Sequence, residues 1–125
     1  MPVTLASRNR ANKRRGADYE IDLVKWFRDL GYKAERLVKR GSNDEGDVSV
    51  DLGDTVFVIE AKAVKEIDLA TFVAESQAEA INYARVRGKA ESNVIPLVVI
   101  KRRMKGIEKS YAVCEVETLL RIIGL

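Results

Sequence analysis

The segment that decides the fold is GDVSVDLGDTVFVIEAK, from Gly46 to Lys62. Two runs rich in valine and other β-formers flank the dipeptide Gly53-Asp54. Glycine in the first position of a two-residue loop suits the mirror-image turns whose twist matches that of paired strands. The segment therefore predicts a β-hairpin whose turn lies at Gly53-Asp54.

The predicted hairpin carries charges at its open end. Counting outward from the turn places Val48 opposite Ile59 and Asp47 opposite Glu60. Directly opposed residues have Cβ atoms about 5 Å apart, so the two carboxylates repel unless a positive charge lies between them. Lys62 follows Glu60 by two residues and so points to the same face of the strand. Two acids and one lysine therefore share a face.

The hairpin belongs to a longer pattern of helix, three strands, helix, two strands, helix. The first helix is predicted over ADYEIDLVKWFRDLGY, because its apolar residues recur at helical spacing before Gly31. The second is predicted from Asp68, a good N-cap, to Arg87, with Gly88 as its stop. KAERLV, NVIPLVVI and SYAVC predict the other strands, and EVETLLRIIG the last helix. This order predicts an α/β domain with a mixed five-stranded sheet covered by helices.

Composition favours one domain with an uneven charge. The chain has 125 residues, 46% of them hydrophobic, and a net charge of +3. Residues 16–125 are predicted to form the domain, and residues 1–15, which lack apolar periodicity, are interpreted as a flexible basic arm. The basic residues of the arm are Arg8, Arg10, Lys13, Arg14 and Arg15, and a second cluster is Lys101, Arg102, Arg103 and Lys105. Both clusters could bind phosphate, and both could equally be solvated surface.

Several kinds of chemistry are excluded by composition. Histidine is absent and Cys114 is the single cysteine, which rules out imidazole catalysis, an intrachain disulfide and a cysteine-built zinc site. No apolar run approaches the about 20 residues that a membrane span needs. We expect a cytoplasmic protein, or one in the host cytoplasm if the chain is phage-encoded.

Glu20 adds a third acid to the pattern. It precedes Leu23, Val24 and Phe27 by three, four and seven positions, which places it on the stripe that should pack against the sheet. A buried carboxylate needs an ionic partner or a metal. If Glu20 converged with Asp47 and Glu60, the all-oxygen site would suit Mg²⁺ or Mn²⁺. Each acid taken singly could instead be an ordinary surface or helix-start residue.

These motifs resemble a known nuclease family. Gly46-Asp47 followed by EAK at Glu60–Lys62 resembles the PD-(D/E)-x-K signature, with glycine in place of its proline. RRGADYEIDLVKWFRDLGY, RGS at Arg40–Ser42 and ESQAEAINYAR resemble the Holliday junction resolvases of archaea and some phages, over roughly residues 14–100. The resemblance implies a restriction-endonuclease-like fold, and a metal-dependent endonuclease that hydrolyses phosphodiesters of four-way DNA junctions as a homodimer.

The resemblance also assigns roles to single residues. It implies that the metal ligands are Glu20, Asp47 and Glu60, and that Lys62 is the catalytic lysine. It implies a loop serine near the scissile strand at Ser42 and a glutamine close to the site at Gln77. Lys39 and Arg40 join the arm residues as predicted DNA-binding residues.

Two other functions remain open from the sequence. One is a restriction- or repair-type nuclease of the same fold that acts on duplex DNA. The other is a DNA-binding module with an inactive nuclease fold, although such a module has no need for the intact set of acids and lysine.

Overall fold

The computed structural model describes residues 4–38 and 45–124. Its helices are α1 (Leu5–Asp29), α2 (Leu69–Val86) and α3 (Val116–Ile122). Its strands are β1 (Lys33–Arg36), β2 (Val48–Asp51), β3 (Val56–Lys62), β4 (Val94–Ile100) and β5 (Tyr111–Val113). Short 3₁₀ turns lie at Glu91–Asn93 and Ile107–Lys109. The predicted order of helices and strands is confirmed.

The five strands form one sheet in the order β1-β2-β3-β4-β5. β3 and β4 pair in parallel, and the other neighbours are antiparallel. The parallel pair requires a crossover, which α2 supplies. The sheet is therefore mixed, as predicted.

The hairpin of β2 and β3 has the predicted register. Val48 lies opposite Ile59, and the amide of Asp47 donates to the carbonyl of Ile59 over 3.0 Å. At the other end Gly53 has φ +97, a left-handed conformation that glycine adopts without a Cβ clash. The Asp51 carboxylate accepts a hydrogen bond from the Gly53 amide at 2.8 Å, which closes the turn.

One face of the sheet is covered by α1. Tyr19 and Leu23 of α1 are each 1% exposed and belong to one apolar cluster with Val48, Val50 and Ile59. Leu23 and Val24 of the predicted stripe thus lie on the buried side of the helix, whereas Leu30, which also fits the helical spacing, is 55% exposed.

The opposite face is covered by α2. Here Val58 and Val94 pack with Ala80, Tyr83 and Ala84. Every residue of β4 is buried, because the strand is central and both of its faces are covered.

The first helix begins earlier than the sequence predicted. Residues 5–15, which we expected to be a flexible arm, form the first turns of α1, and the Thr4 side chain caps them by accepting from the Ser7 amide at 3.1 Å. Alanine, arginine and lysine favour helix, so these turns need no apolar stripe to be helical. The division into an arm and a domain stays a prediction.

The second helix has the predicted ends. Asp68 is its N-cap and accepts a hydrogen bond from the Thr71 amide at 3.2 Å, and Arg87 is its C-cap. Across the described ranges, none of the helices has the length and apolar character that crossing a membrane requires.

Candidate active site

The open end of the hairpin holds two buried carboxylates. Asp47 is 5% exposed and Glu60 is 7% exposed. Asp47 Oδ2 accepts a hydrogen bond from the backbone amide of Ala61 at 2.9 Å. This bond joins β3 to the residue just before the start of β2, and it fixes the orientation of the Asp47 carboxylate.

Lys62 lies beside Glu60 and is held from three sides. Its Nζ is 3.2 Å from Glu60 Oε1 and 3.1 Å from Glu75 Oε2, and it lies 4.6 Å from the centroid of the Phe72 ring. Burial by itself would lower the pKa of Lys62, but the charge of Glu60 and the bonds to Glu75 and Glu60 outweigh it, so the pKa is raised. Lys62 is therefore a fixed, protonated cation.

Two glutamates of α2 join this cluster. One carboxylate oxygen from each of Glu60, Glu75 and Glu79 lies within 4.8 Å of the others. Glu75 and Glu79 are four residues apart and so lie on one side of the helix. Sequence reasoning missed both residues. The available signal was that Glu79 follows Phe72 by seven residues and precedes Tyr83 by four, which places it on the helix face that packs on the sheet.

The loop before Asp47 is anchored by an ion pair between a buried carboxylate and a partly exposed guanidinium. Glu45 is 6% exposed, and its Oε2 lies 3.0 Å from Arg87 Nε at the end of α2. The guanidinium of Arg87 also stacks over the Tyr83 ring, 4.5 Å from its centroid. The sequence pattern did not single out Glu45 or Arg87 as a pair, because 42 residues separate them.

Gly46 explains the missing proline of the nuclease signature. Its φ is +101, whereas proline fixes φ near −65°. A Cβ at this position would lie 2.8 Å from Val58 Cγ1 and 3.5 Å from Glu79 Oε2. The backbone beside Asp47 can approach β3 and α2 only because this residue is glycine.

Glu20 lies on the other side of the sheet. It projects from α1, and its Oε1 is 3.6 Å from Arg36 Nε at the end of β1. It lines a surface cleft with Lys13, Arg36 and Leu37. Among the described residues, the carboxylates gathered around Glu60 come from α2, and the role of Glu20 as a ligand stays a prediction.

Gln77 points away from the cluster. Its Nε2 donates to Oε1 of Glu115, the residue that begins α3. It lines a cavity of about 290 Å³ between α2 and α3. Two residues along a helix correspond to about 200° of rotation, so Gln77 cannot share a face with Glu75 and Glu79. Its role as a residue of the active site stays a prediction. Ser42, Lys39 and Arg40 lie outside the described residues.

The basic side chains lie on exposed surface. All five cationic residues of the predicted arm are exposed on the first turns of α1. In the turn after β4, Arg102 stacks over the ring of Tyr111, 4.6 Å from its centroid, and Lys101, Arg103 and Lys105 are exposed. Both predicted clusters are accessible to a polyanion, and their contact with DNA stays a prediction.

The site has the composition that a hard divalent cation requires. Its candidate ligands are carboxylate oxygens, the donors that Mg²⁺ and Mn²⁺ prefer. Glu60 Oε1 contacts Lys62, whereas Glu60 Oε2 is buried and has no hydrogen-bond partner within residues 4–38 and 45–124. A buried carboxylate oxygen without a partner is costly, and a metal ion would satisfy it.

A mixed five-stranded sheet flanked by helices, with an acid before a hairpin and E-x-K at its end, defines a nuclease of restriction-endonuclease-like fold. The family model described as archaeal Holliday junction resolvase (hjc) matches residues 11–120. The chain therefore belongs to the archaeal Holliday junction resolvase family.

A solved structure shows the same fold. It is that of Hjc, a Holliday junction resolvase from the archaeal hyperthermophile Archaeoglobus fulgidus, with a TM-score of 0.51 and 22% sequence identity. The match covers 85% of this chain and 88% of that one. Comparison with curated protein sequences gives no significant match.

Proposed function

We propose that this chain is a Mg²⁺-dependent endonuclease that resolves four-way DNA junctions by phosphodiester hydrolysis, acting as a homodimer. The observation that carries the proposal is the hairpin-end cluster of Asp47, Glu60 and Lys62, in a chain of the Holliday junction resolvase family. A module that only binds DNA would have no use for two buried carboxylates beside a partly buried lysine, because their desolvation is unfavourable.

Asp47 and Glu60 are the proposed metal ligands, with Glu20 as a further ligand suggested by the family resemblance. The Asp47 carboxylate is oriented by the Ala61 amide, and Glu60 offers the oxygen that lacks a partner among the described residues. A bound divalent ion supplies Lewis acidity, which makes the attacking water more nucleophilic and offsets the charge that develops on the phosphate. Mn²⁺ prefers the same oxygen donors and should substitute.

Lys62 is the proposed electrostatic partner of the reacting phosphate. Its ammonium group has three donors, and the structure commits it to Glu60 and Glu75. A donor can then be turned to a phosphate oxygen or to the attacking water without large movement of the side chain. A cation that is already oriented stabilises the transition state without reorganisation at the moment of reaction.

Junction symmetry supports a homodimer. A four-way junction offers two symmetry-related strands, and a twofold dimer offers two matched sites. α3 carries exposed apolar side chains that a partner could cover, among them Val116, Leu119 and Ile123. Light scattering at working concentration should report twice the chain mass of 14.0 kDa.

The competing function is cleavage of linear duplex by the same chemistry. The test incubates the protein with a fixed four-way junction, a mobile junction and a linear duplex of matched sequence, each with Mg²⁺, with Mn²⁺ and with EDTA. Asp47→Asn is the control without activity, and Glu66→Gln, an exposed acid, is the matched control with activity. We expect paired cuts, symmetrically placed in junction strands of like polarity, that require the metal. If linear duplex is cut and competes for binding as well as the junction does, the protein is a general nuclease and the proposal of a resolvase is wrong.

A further inference from the structure

Glu79 occupies an unusual position for an acid. It lies on α2 beneath the sheet and is 6% exposed. Its neighbours on the same helix face, Ala80 and Tyr83, belong to the apolar cluster that packs on β3 and β4. Burying a glutamate in such surroundings is unfavourable unless its carboxylate is paired, hydrogen-bonded or bound to a metal.

Glu79 lies next to Glu60 and near the residue that precedes Asp47. One of its carboxylate oxygens is within 4.8 Å of an oxygen of Glu60. Its Oε2 is also 3.5 Å from the point where a Cβ of Gly46 would stand, and Gly46 directly precedes Asp47. The Glu79 carboxylate is therefore close both to the side chain of Glu60 and to the backbone of Gly46, the residue before Asp47.

One lysine lies among the three clustered carboxylates. Lys62 contacts Glu60 Oε1 and Glu75 Oε2 and contributes one positive charge to three clustered carboxylates. The second oxygen of Glu60 is buried, with no hydrogen bond to it in the described part of the chain. This buried oxygen, and not the clustering of acids alone, points to a bound cation.

We propose that Glu79 is a ligand of the divalent cation that Asp47 and Glu60 hold, so that α2 as well as the hairpin builds the metal centre. The proposal rests on the metal dependence of the proposed function. A Cβ at position 46 would clash with Val58 and would contact the carboxylate of Glu79, so glycine leaves the space beside that carboxylate open.

The test measures Mn²⁺ binding directly, by the loss of the free Mn²⁺ signal in electron paramagnetic resonance. The protein is titrated alone and on a four-way junction whose scissile linkages are blocked with phosphorothioate. Glu79→Gln should weaken Mn²⁺ affinity by at least about tenfold, since even groups that only orient a ligand cost that much when changed. The exposed control Glu66→Gln should bind as the wild type does. Wild-type affinity in Glu79→Gln would overturn the proposal.

A second variant separates direct ligation from a general effect of charge. Glu79→Asp keeps the negative charge but withdraws the carboxylate by one methylene. Direct ligation predicts that Glu79→Asp also loses affinity, while wild-type affinity in this variant would overturn ligation. Thermal melts of the metal-free proteins, followed by circular dichroism, verify that each variant folds. If Glu79→Gln does not fold, the Mn²⁺ affinity of Glu79→Asp alone tests whether Glu79 is a ligand.

The outcomes also separate this proposal from the function on which it rests. If Asp47→Asn loses Mn²⁺ and both Glu79 variants keep it, the metal centre stands and Glu79 is not part of it. If the wild type binds no Mn²⁺ either alone or on the junction, the metal-dependent function and the role of Glu79 fail together.

Discussion

The two faces of the sheet use neighbouring residues of the same strand for opposite purposes. Ile59 points toward α1 into an apolar cluster, whereas Glu60, the next residue, points toward α2 and its glutamates. Both side chains are buried, at 0% and 7% exposure. The α1 face is built for stability, whereas the hairpin end of the α2 face buries acids at a cost in stability.

The two faces also differ in the free energy of burying their side chains. Burying a side chain such as Ile59 contributes about 1.5–3 kcal/mol. Burying a carboxylate such as Glu60 costs several kcal/mol before pairing offsets it. The apolar α1 face, together with the apolar half of the α2 face, must therefore hold the strands in place for the acids. The following predictions test this division, from the largest expected effect to the smallest.

Glu60→Gln should abolish cleavage while junction binding persists. The change removes a ligand charge, and a loss of more than about a hundredfold is expected because groups that merely support a ligand already cost up to that much. Single-turnover cleavage of a labelled junction with Mg²⁺ measures the rate, and a gel-shift titration measures binding. Glu66→Gln is the exposed control. Cleavage at the wild-type rate by Glu60→Gln would show that the charged half of the α2 face is not the active site.

Leu23→Ala should have the opposite effect, since this residue lies on the α1 face. Removing a buried leucine costs about 2–5 kcal/mol of unfolding free energy, to be measured by urea denaturation. Leu30→Ala, at a position 55% exposed, is the matched control and should change stability by less than about 0.5 kcal/mol. Cleavage per folded molecule should be kept in both. Equal stabilities would contradict the assignment of the main core to this face.

Lys62→Ala should lower the cleavage rate by about a hundredfold, the usual cost of one transition-state donor. The protein should still fold, although its free energy of unfolding should fall because the buried Glu60 carboxylate loses its positive partner. Lys65→Ala, in the exposed segment after β3, is the control for loss of one positive charge. A cleavage rate near the wild-type level would show that Lys62 has no role in catalysis.

The exposed first turns of α1 can be tested for a separate role in DNA affinity. We expect that changing Arg8, Arg10, Lys13 and Arg14 to glutamine weakens junction binding and flattens its salt dependence, by about 0.9 in log–log slope for each phosphate that is no longer neutralised. The control changes the same number of scattered exposed lysines to glutamine, namely Lys25, Lys33, Lys89 and Lys109. An equal change in slope in both proteins would show that only net charge matters.

Tyr19→Phe should have the smallest effect, on stability alone. The Tyr19 hydroxyl donates to Ser110 Oγ over 2.7 Å, and losing one such hydrogen bond costs about 1 kcal/mol. Burial raises the pKa of Tyr19 above 10.0, with the Ser110 bond acting in the opposite direction. The folded state therefore disfavours the phenolate, and the wild type loses stability as pH rises above 10. Urea denaturation at pH 8 and above pH 10 should show the difference between the two proteins shrinking; a constant difference would contradict this.

The sequence by itself determined the hairpin and what it carries. A two-residue turn at Gly53-Asp54 fixes the pairing of the strands, and the alternation of side chains then places Asp47, Glu60 and Lys62 on one face. Helix caps at Asp68 and Arg87 were equally readable. All of these features depend on interactions between residues close together in the chain, so a local pattern is sufficient to predict them.

Only the tertiary structure decided what stands opposite that face. Ala80 and Tyr83 of α2 pack on the sheet and so fix the rotation of the helix about its axis. This rotation brings Glu75 and Glu79 close to Glu60. It also directs Gln77 toward Glu115. The same holds for the ion pair of Glu45 with Arg87, which anchors the loop before Asp47. Periodicity identifies the face of a helix that is buried, but the partners of each side chain on that face depend on how helix and sheet pack, which is a property of the whole fold.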